Sequence, residues 1–208
     1  PGAVPADILR ACAEAREHAL GAVCVAPVWV ALAARELAGS PVRVASVIGF
    51  PHGNTLPEAK AREARLALQA GASELDMVLQ LGALKGGDTA LVLRDIAGVV
   101  HAARERGARV KVILETALLT DAEKRLGCQL AEQSGADFVK TSTGFGPGGA
   151  TESDVRLLRS AVGGRLGVKA SGGIRSLAQA LAMVRAGASR LGTSASVSIL
   201  AELNAAQH

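Results

Sequence analysis

The chain has 208 residues, of which 49% are hydrophobic and only 2% aromatic, and its formal net charge is +4. This composition suits one folded domain, residues 1–208, with a sizeable core built mainly from Ala, Val, Leu and Ile. The basic residues are scattered singly along predicted helices and form no Lys- or Arg-rich run, so we expect no nucleic-acid partner. An anionic small substrate would suit the same charge.

Cysteine, histidine and hydropathy patterns exclude several further classes of protein. Cys12, Cys24 and Cys128 are far apart and form no CxxC pair, and the four histidines show no ligand spacing. We therefore predict no disulfide framework, no metal site and a reducing, cytoplasmic location. The longest apolar stretch, residues 22–34, is interrupted by Pro27 and is too short to span a bilayer, and no signal peptide is visible, so we expect no membrane partner.

A helix-like segment that ends in Gly-Ala and precedes a short apolar strand recurs along the chain, at residues 21–22, 71–72, 107–108, 135–136 and 187–188. Glycine readily adopts the left-handed conformation that closes a helix, so each copy predicts a helix-to-strand joint. The first predicted element is a helix over residues 5–20. The strand cores that follow are predicted at residues 23–26, 42–49, 74–81, 110–116, 137–142, 166–171 and 189–193.

Amphipathic stretches between these strands predict helices at residues 57–69, 91–104 and 177–185. Capping-box spacing marks three helix starts, at the pairs Thr55 and Glu58, Thr120 and Glu123, and Ser176 and Gln179. Alternating strands and helices indicate a parallel sheet, either a (β/α)₈ TIM barrel that lacks one strand or a doubly wound open sheet. We favour the barrel because no GxGxxG follows the first strand and polar residues recur at the carboxyl ends of the strands.

Three lysines, Lys111, Lys140 and Lys169, lie inside apolar strands although only six of the 23 basic residues are lysines. A buried ammonium group is costly, and arginine cannot act as an amine nucleophile, so the pattern favours a role for a neutral amine. Lys140 and Lys169 fall on consecutive strands, about 4.8 Å apart if these strands pair. Mutual repulsion would then lower the pKa of one amine and make it nucleophilic. The alternative is that both lysines are structural ion-pair partners.

Asp76 is the third candidate, because it is a carboxylate within the apolar strand Glu74–Val78. It could shuttle protons while holding the ammonium group of Lys169, or it could form a purely structural salt bridge. We interpret Lys111 and Glu115, on one face of the next strand, as an internal ion pair.

Glycine-containing turns follow the last three predicted strands and are candidate phosphate-binding loops, because glycine lets backbone N–H groups approach an anion. Barrels frequently bind phosphate in the loops after their last two strands. The candidate phosphate-binding residues are Gly144, Gly172, Gly173, Gly192 and Ser194.

Several segments resemble the signature sequences of the deoxyribose-phosphate aldolase family: residues 74–78, 112–116, 137–145 and 168–175, supported by residues 22–25, 49–53 and 190–194. The resemblance covers nearly the whole chain in the family's order. It implies reversible cleavage of 2-deoxy-D-ribose 5-phosphate to glyceraldehyde 3-phosphate and acetaldehyde, without metal or other cofactor. It also implies that Lys140 forms the imine, that Asp76 and Lys169 move protons, and that the protein is a homo-oligomer, either a dimer or a tetramer.

The sequence also departs from the family pattern. Family members normally open with a strand that reads roughly Ile-Asp-His-Thr, whereas residues 5–20 here already resemble the helix after that strand. We therefore expect a barrel with a gap beside its last strand. Many members also end in a Tyr, which this sequence lacks. The alternatives are another class I phosphate-sugar aldolase, such as a transaldolase-like enzyme, and a catalytically impaired barrel or basic binding protein.

Cys24 lies on a predicted strand beside the candidate site. It is either a small buried apolar residue or a reactive thiol that is modified by unsaturated aldehyde by-products.

Overall fold

The structure is a computed structural model, and it describes residues 2–206. Its parallel strands are β1 (Ala22–Val25), β2 (Arg43–Ile48), β3 (Glu74–Val78), β4 (Arg109–Ile113), β5 (Phe138–Lys140), β6 (Gly167–Ser171) and β7 (Arg190–Gly192). Its α-helices are α1 (Pro5–Glu17), α2 (Val30–Glu36), α3 (Pro57–Gln69), α4 (Leu81–Lys85), α5 (Thr89–Arg104), α6 (Asp121–Gln133), α7 (Glu152–Val162), α8 (Leu177–Ala186) and α9 (Ser196–Ala205). The predicted alternation of strands and helices is confirmed, and all seven strands fall on the predicted cores.

Each strand pairs in parallel with the next strand along the chain, so the sheet order is β1 to β7. The sheet is strongly curled. Arg190 of β7 lies 3.3 Å from Glu74 of β3, although these strands are four positions apart and a flat sheet would separate them by about 19 Å. The seven strands therefore form most of a TIM-like barrel, with charged side chains pointing inward and helices packed outside.

The two edge strands, β1 and β7, flank an open side of the barrel. Within residues 2–206, no backbone ladder joins β7 to β1. A cavity of about 700 Å³ lies there, lined by residues of α1, β1, β7 and α9. This is the gap that the sequence predicted beside the last strand.

The helix-to-strand joints follow the glycine pattern with one exception. Gly71, Gly107, Gly135 and Gly187 have φ of 111°, 62°, 78° and 112°, so these four joints are confirmed as left-handed turns. The joint predicted at Gly21 is present as well, between α1 and β1, but its left-handed residue is Ala19, with φ of 49°. The chain completes its reversal two residues before the glycine.

Two of the three predicted helix caps are present. The capping box of Thr120 and Glu123 is confirmed at the start of α6. Ser176 caps α8 by accepting from the backbone N–H of Gln179. The cap at Thr55 is wrong: α3 begins at Pro57 with Leu56 in the capping position and no side-chain cap. Proline at the first position of α3 needs no partner for a backbone N–H, which makes a side-chain cap less necessary.

The hydrophobic core lies between the outer face of the sheet and the helices. In β3, Leu75 and Met77 are fully buried on that outer side, while the alternating residues Glu74 and Asp76 point into the barrel. None of the helices within the described part of the chain is long and apolar enough to cross a bilayer.

Candidate functional site

Asp76 lies at the centre of the barrel interior, where three lysine side chains meet it. Its Oδ2 atom accepts hydrogen bonds from Lys140 at 2.8 Å and from Lys169 at 2.6 Å. Its Oδ1 atom accepts one from Lys111 at 2.8 Å. The carboxylate is fully buried, and Lys140 and Lys169 are only 5% and 7% exposed. One carboxylate thus serves three buried amines.

Strand register explains why these residues meet. Lys140 on β5 pairs directly with Lys169 on β6, and Asp76 on β3 pairs with Lys111 on β4. Curling of the sheet then carries β5 and β6 across from β3, so that the lysines reach the carboxylate through the interior. The pairing of the strands that carry Lys140 and Lys169, on which their expected proximity depends, is confirmed.

The charges of this cluster shift its titrations in opposite directions. Burial alone raises the pKa of Asp76, but the positive charges of Lys140, Lys169 and Lys111 outweigh it and hold this pKa well below its usual range. Burial is the largest influence on Lys169 and lowers its pKa, but the attraction of Asp76, Cys24 and Glu74 and the hydrogen bond to Asp76 together outweigh it, so the net pKa is raised. At neutral pH, Asp76 is therefore a carboxylate and Lys169 an ammonium ion.

Lys111 belongs to this cluster, and its predicted pairing with Glu115 is wrong. Lys111 Nζ lies 2.6 Å from Glu74 and 2.8 Å from Asp76. Residues 111 and 115 would be about 13 Å apart along a continuous strand, and β4 already ends at Ile113. Glu115 was expected as the partner because it follows Lys111 on the same face in the sequence. The carboxylates that contact Lys111 are instead those of Glu74 and Asp76, on the neighbouring strand β3.

Glu115 instead holds the loop that follows Lys140. The residue has a left-handed backbone with φ of 54° and ψ of 62°, unusual for a side chain of its size. Its Oε2 atom accepts from the backbone N–H of Thr143 at 3.2 Å and from the Thr143 hydroxyl. A Cβ atom on Gly146 would come within 2.8 Å of the carboxyl carbon. Sequence reasoning missed this contact, although Glu115 and Thr143 follow neighbouring strands and their meeting could have been expected.

The glycine turns lie at the carboxyl edge of β5, β6 and β7. Gly144, Gly172 and Gly173 have φ of 86°, 92° and 78°, a left-handed backbone that side chains rarely adopt. Gly192 faces the cluster, because a Cβ there would come within 2.9 Å of Lys169. The first turn is joined to the second by a hydrogen bond of 3.0 Å from Ala150 N–H to the Gly172 carbonyl.

The cavity between β1 and β7 brings together some of the predicted residues and not others. Lys169, Gly192, Ser194 and Cys24 all line it, and Ser194 is exposed to it. The other candidate glycines lie on the adjoining loops.

Cys24 faces the cavity and is not the buried apolar residue that one interpretation predicted. The surrounding protein, followed by the negative charge of Asp76, raises the pKa of the thiol. A raised pKa reduces the thiolate fraction at neutral pH and therefore the reactivity of this thiol.

Across residues 2–206, no group of three or more His, Cys, Asp or Glu side chains is arranged so that it could hold a metal ion.

Comparison with known families identifies residues 3–200 as a match to the model described as DeoC/LacD family aldolase. A protein from Thermococcus gammatolerans named deoxyribose-phosphate aldolase is 57% identical over 202 residues, which cover 96% of this chain and 90% of the relative. Deoxyribose-phosphate aldolase 1 from Bacillus licheniformis is 55% identical over 205 residues, covering 99% and 92%.

Solved structures give the same picture. An aldolase designated QR15 superposes with a TM-score of 0.94 at 39% identity, covering all of this chain and 92% of its own. A deoxyribose phosphate aldolase from Aeropyrum pernix, described as a unique tetramer, superposes with a TM-score of 0.93 at 38% identity, covering 99% and 87%. The DHODH of Eimeria tenella, at 16% identity and a TM-score of 0.65, shares the fold alone.

Proposed function

Because the chain belongs to the DeoC/LacD family of aldolases, we propose that it reversibly cleaves 2-deoxy-D-ribose 5-phosphate to D-glyceraldehyde 3-phosphate and acetaldehyde. The observation that carries the mechanism is the single carboxylate of Asp76 shared by Lys140 and Lys169. A fixed ammonium ion and a fixed carboxylate beside a second amine are what Schiff-base catalysis needs.

Lys140 is the nucleophile in this proposal. Its neutral amine attacks the C1 aldehyde of the open-chain sugar, and loss of water from the resulting carbinolamine forms a protonated imine. The imine draws the electron pair of the breaking C2–C3 bond toward its nitrogen, so the reaction requires neither metal nor other cofactor.

Asp76 and Lys169 are the proton-transfer groups of this proposal. Removal of the proton from the C3 hydroxyl releases glyceraldehyde 3-phosphate and leaves an enamine on Lys140. Protonation of the enamine at C2, followed by hydrolysis of the imine, releases acetaldehyde and regenerates the lysine. The short contacts of Asp76 Oδ2 to both lysines would let protons pass among the three groups.

The substrate phosphate is assigned to the glycine turns at the carboxyl edge of β5, β6 and β7. Gly192 and Ser194 line the cavity together with Lys169, and Gly144, Gly172 and Gly173 occupy the two neighbouring turns. Backbone N–H groups of such turns, together with the starts of α8 and α9, favour an anion.

The assembly and location of the protein are also part of the proposal. We assign it a homo-oligomeric state, since the structurally similar aldolase of Aeropyrum pernix is described as a tetramer. We assign it a cytoplasmic location, since its three cysteines are free.

Cys24 is proposed as a minor site of inactivation by unsaturated aldehydes, because it borders the cavity beside Lys169. Its raised pKa predicts that this reaction is slow at neutral pH and faster in alkaline solution. Aldehyde inactivation that proceeds at the same rate in Cys24→Ala and the unmodified protein would contradict this role.

A product assay combined with chemical trapping tests the function. Incubation with deoxyribose 5-phosphate should release acetaldehyde, whereas release of dihydroxyacetone phosphate would indicate a different aldolase. Sodium borohydride added during turnover should reduce the imine and inactivate the protein, and Lys140→Arg should form no adduct. Absence of both acetaldehyde and adduct would mean that the barrel is catalytically impaired.

A further inference from the structure

Charges of alternating sign follow one another through the barrel interior from its amino end to the lysine pair. Arg43 and Arg190, the first residues of β2 and β7, lie 3.1 Å and 3.3 Å from Glu74. Glu74 contacts Lys111 at 2.6 Å, and Lys111 contacts Asp76 at 2.8 Å. Asp76 in turn holds Lys140 and Lys169, so Glu74, Lys111 and Asp76 each lie between charges of the opposite sign.

Lys111 is the central member of this series, and the chemistry assigned above gives it no role. Its side chain is fully buried, and both of its carboxylate partners are fully buried as well. On the strand ladder it lies at the level of Phe138, one inward-facing position below Lys140. Phe138 fills the interior at that level, since a Cβ atom on the facing Gly167 would overlap its ring.

We infer that Lys111 is a positioning residue, which, held by Glu74, orients the Asp76 carboxylate toward Lys140 and Lys169. This inference rests on the proposed function. Lys111 binds Oδ1 and so fixes the rotation of the carboxylate, which presents Oδ2 to both of the other lysines. It also separates two buried carboxylates that point to the same side of β3. Without it, Asp76 and Glu74 would repel one another with no cation between them.

The consequence for pH dependence has a definite sign. Lys111 helps to keep Asp76 ionised, so its removal should let Asp76 take up a proton at higher pH than before. The acid limb of the pH–rate profile then moves upward. The titratable groups that face Asp76 in this argument lie on β1, β3, β4, β5 and β6, and they are Cys24, Glu74, Lys111, Lys140 and Lys169.

Glu74 provides a second variant with the opposite expected sign. Glu74→Gln removes the carboxylate behind Lys111 but leaves the lysine in place, so the full positive charge of Lys111 acts on Asp76. The acid limb should then stay in place or move to lower pH. If both residues acted only through stability, the acid limbs of the two variants would shift in the same direction, because either change disrupts the same ion pair.

The test compares Lys111→Met, Glu74→Gln and the double variant with Lys60→Met. Lys60 is an equally buried lysine, paired with Asp95 at 2.6 Å in the helical layer, so its variant controls for the loss of a buried ion pair. We expect Lys111→Met to lower kcat about 10- to 100-fold, comparable to the loss of residues that orient metal ligands, with a smaller change in KM. Its acid limb should rise, and that of Lys60→Met should not.

The double variant separates the effect on the acid limb of the pH–rate profile from the effect on protein stability. Removing both charges abolishes the repulsion between Glu74 and Asp76 that Lys111→Met alone would leave, so resistance to urea should partly recover while the raised acid limb persists. The inference is overturned if Lys111→Met retains the kcat and acid limb of the unmodified protein, or if Lys60→Met and Glu74→Gln shift the limb upward equally. Borohydride trapping distinguishes failure of the proposed function from failure of this inference. If the unmodified protein forms no adduct on Lys140, the proposed function and this inference are overturned together. Normal trapping with an unshifted Lys111→Met profile overturns this inference alone.

Discussion

Within residues 2–206, buried lysines meet buried carboxylates in two places, and the two sites differ in composition. In the helical layer, Lys60 of α3 meets Asp95 of α5 at 2.6 Å, and both side chains are fully buried. Inside the barrel, Asp76 meets three lysines. The first site balances one cation with one anion, whereas the second places several amines around a shared carboxylate.

This difference reverses the net direction of the pKa shifts at the two sites. At the helical pair burial prevails, so the pKa of Lys60 is lowered and that of Asp95 is raised, both toward the neutral forms. At the barrel cluster the charges prevail, so the pKa of Asp76 is lowered and that of Lys169 is raised. A buried lysine is therefore not in itself a sign of catalysis. The excess of amines over carboxylates distinguishes the candidate site.

The largest expected difference between the two regions concerns their aspartates. Asp76→Asn removes the charge that holds three lysines, so we expect turnover to fall about 10²- to 10⁴-fold and the free energy of unfolding to fall by roughly 3–5 kcal/mol. Asp95→Asn should cost comparable stability with little change in turnover. Measurements of kcat and urea unfolding check both. Equal loss of activity in the two variants would contradict the claim that the barrel cluster is catalytic and the helical pair is structural.

Lys169→Leu tests the same comparison through the lysines of the two sites. Loss of this ammonium ion removes the proposed proton-transfer group, so turnover should fall about 10²-fold. The pH–rate profile should also change, because Lys169 carries one of the titrations that this profile reports. The matched control is Lys60→Leu, which should alter stability without changing the pH–rate profile. An unchanged profile in Lys169→Leu would argue against its role.

The sequence indicated much of the barrel cluster because its residues break a pattern. Lysines within apolar strands stand out, and strands adjacent in sequence usually pair, so Lys140 and Lys169 could be placed together. Lys111 could not be placed correctly, because its partners depend on the register between β3 and β4. The curling that joins β6 to β3 is likewise a property of the closed sheet and not of any local segment.

The helical pair escaped sequence analysis for a physical reason. A lysine in an amphipathic helix normally lies on the solvated face, so the residue type of Lys60 did not indicate that it is buried. Its position nevertheless follows the buried face of α3, which consists of Lys60, Ala61, Ala64, Ala67 and Leu68. Helical periodicity alone therefore placed this lysine inward, and its partner on α5 could not be known before the helices were packed.

A smaller effect is expected when both members of the helical pair are replaced. Lys60→Met or Asp95→Leu alone should lower the free energy of unfolding by roughly 3–5 kcal/mol, since each leaves a buried charge. Together they should recover most of this loss, apart from roughly 1–3 kcal/mol for the Val78 carbonyl, which loses its 2.8 Å bond from Lys60. Urea denaturation of the four proteins measures the coupling. Additive losses would show that the two side chains do not act as a pair.

The smallest predicted effect is the pH dependence of the two aspartate variants. The lowered pKa of Asp76 means that its contribution to stability is present above about pH 3.8 and is lost at lower pH, so the cost of Asp76→Asn should shrink in acid. The raised pKa of Asp95 has the opposite sign, so the cost of Asp95→Asn should grow as the pH falls through that pKa. Unfolding free energies measured from pH 7 to pH 3 should therefore diverge. Parallel trends would contradict the assigned shifts.

The most direct test of the account is the position of the covalent adduct among the six lysines. Borohydride reduction during turnover, followed by peptide mapping, should place the adduct on Lys140 and leave both Lys169 and the equally buried Lys60 unmodified. An adduct on Lys169, or label spread over the exposed lysines, would contradict the assignment of Lys140 as the amine that attacks the substrate.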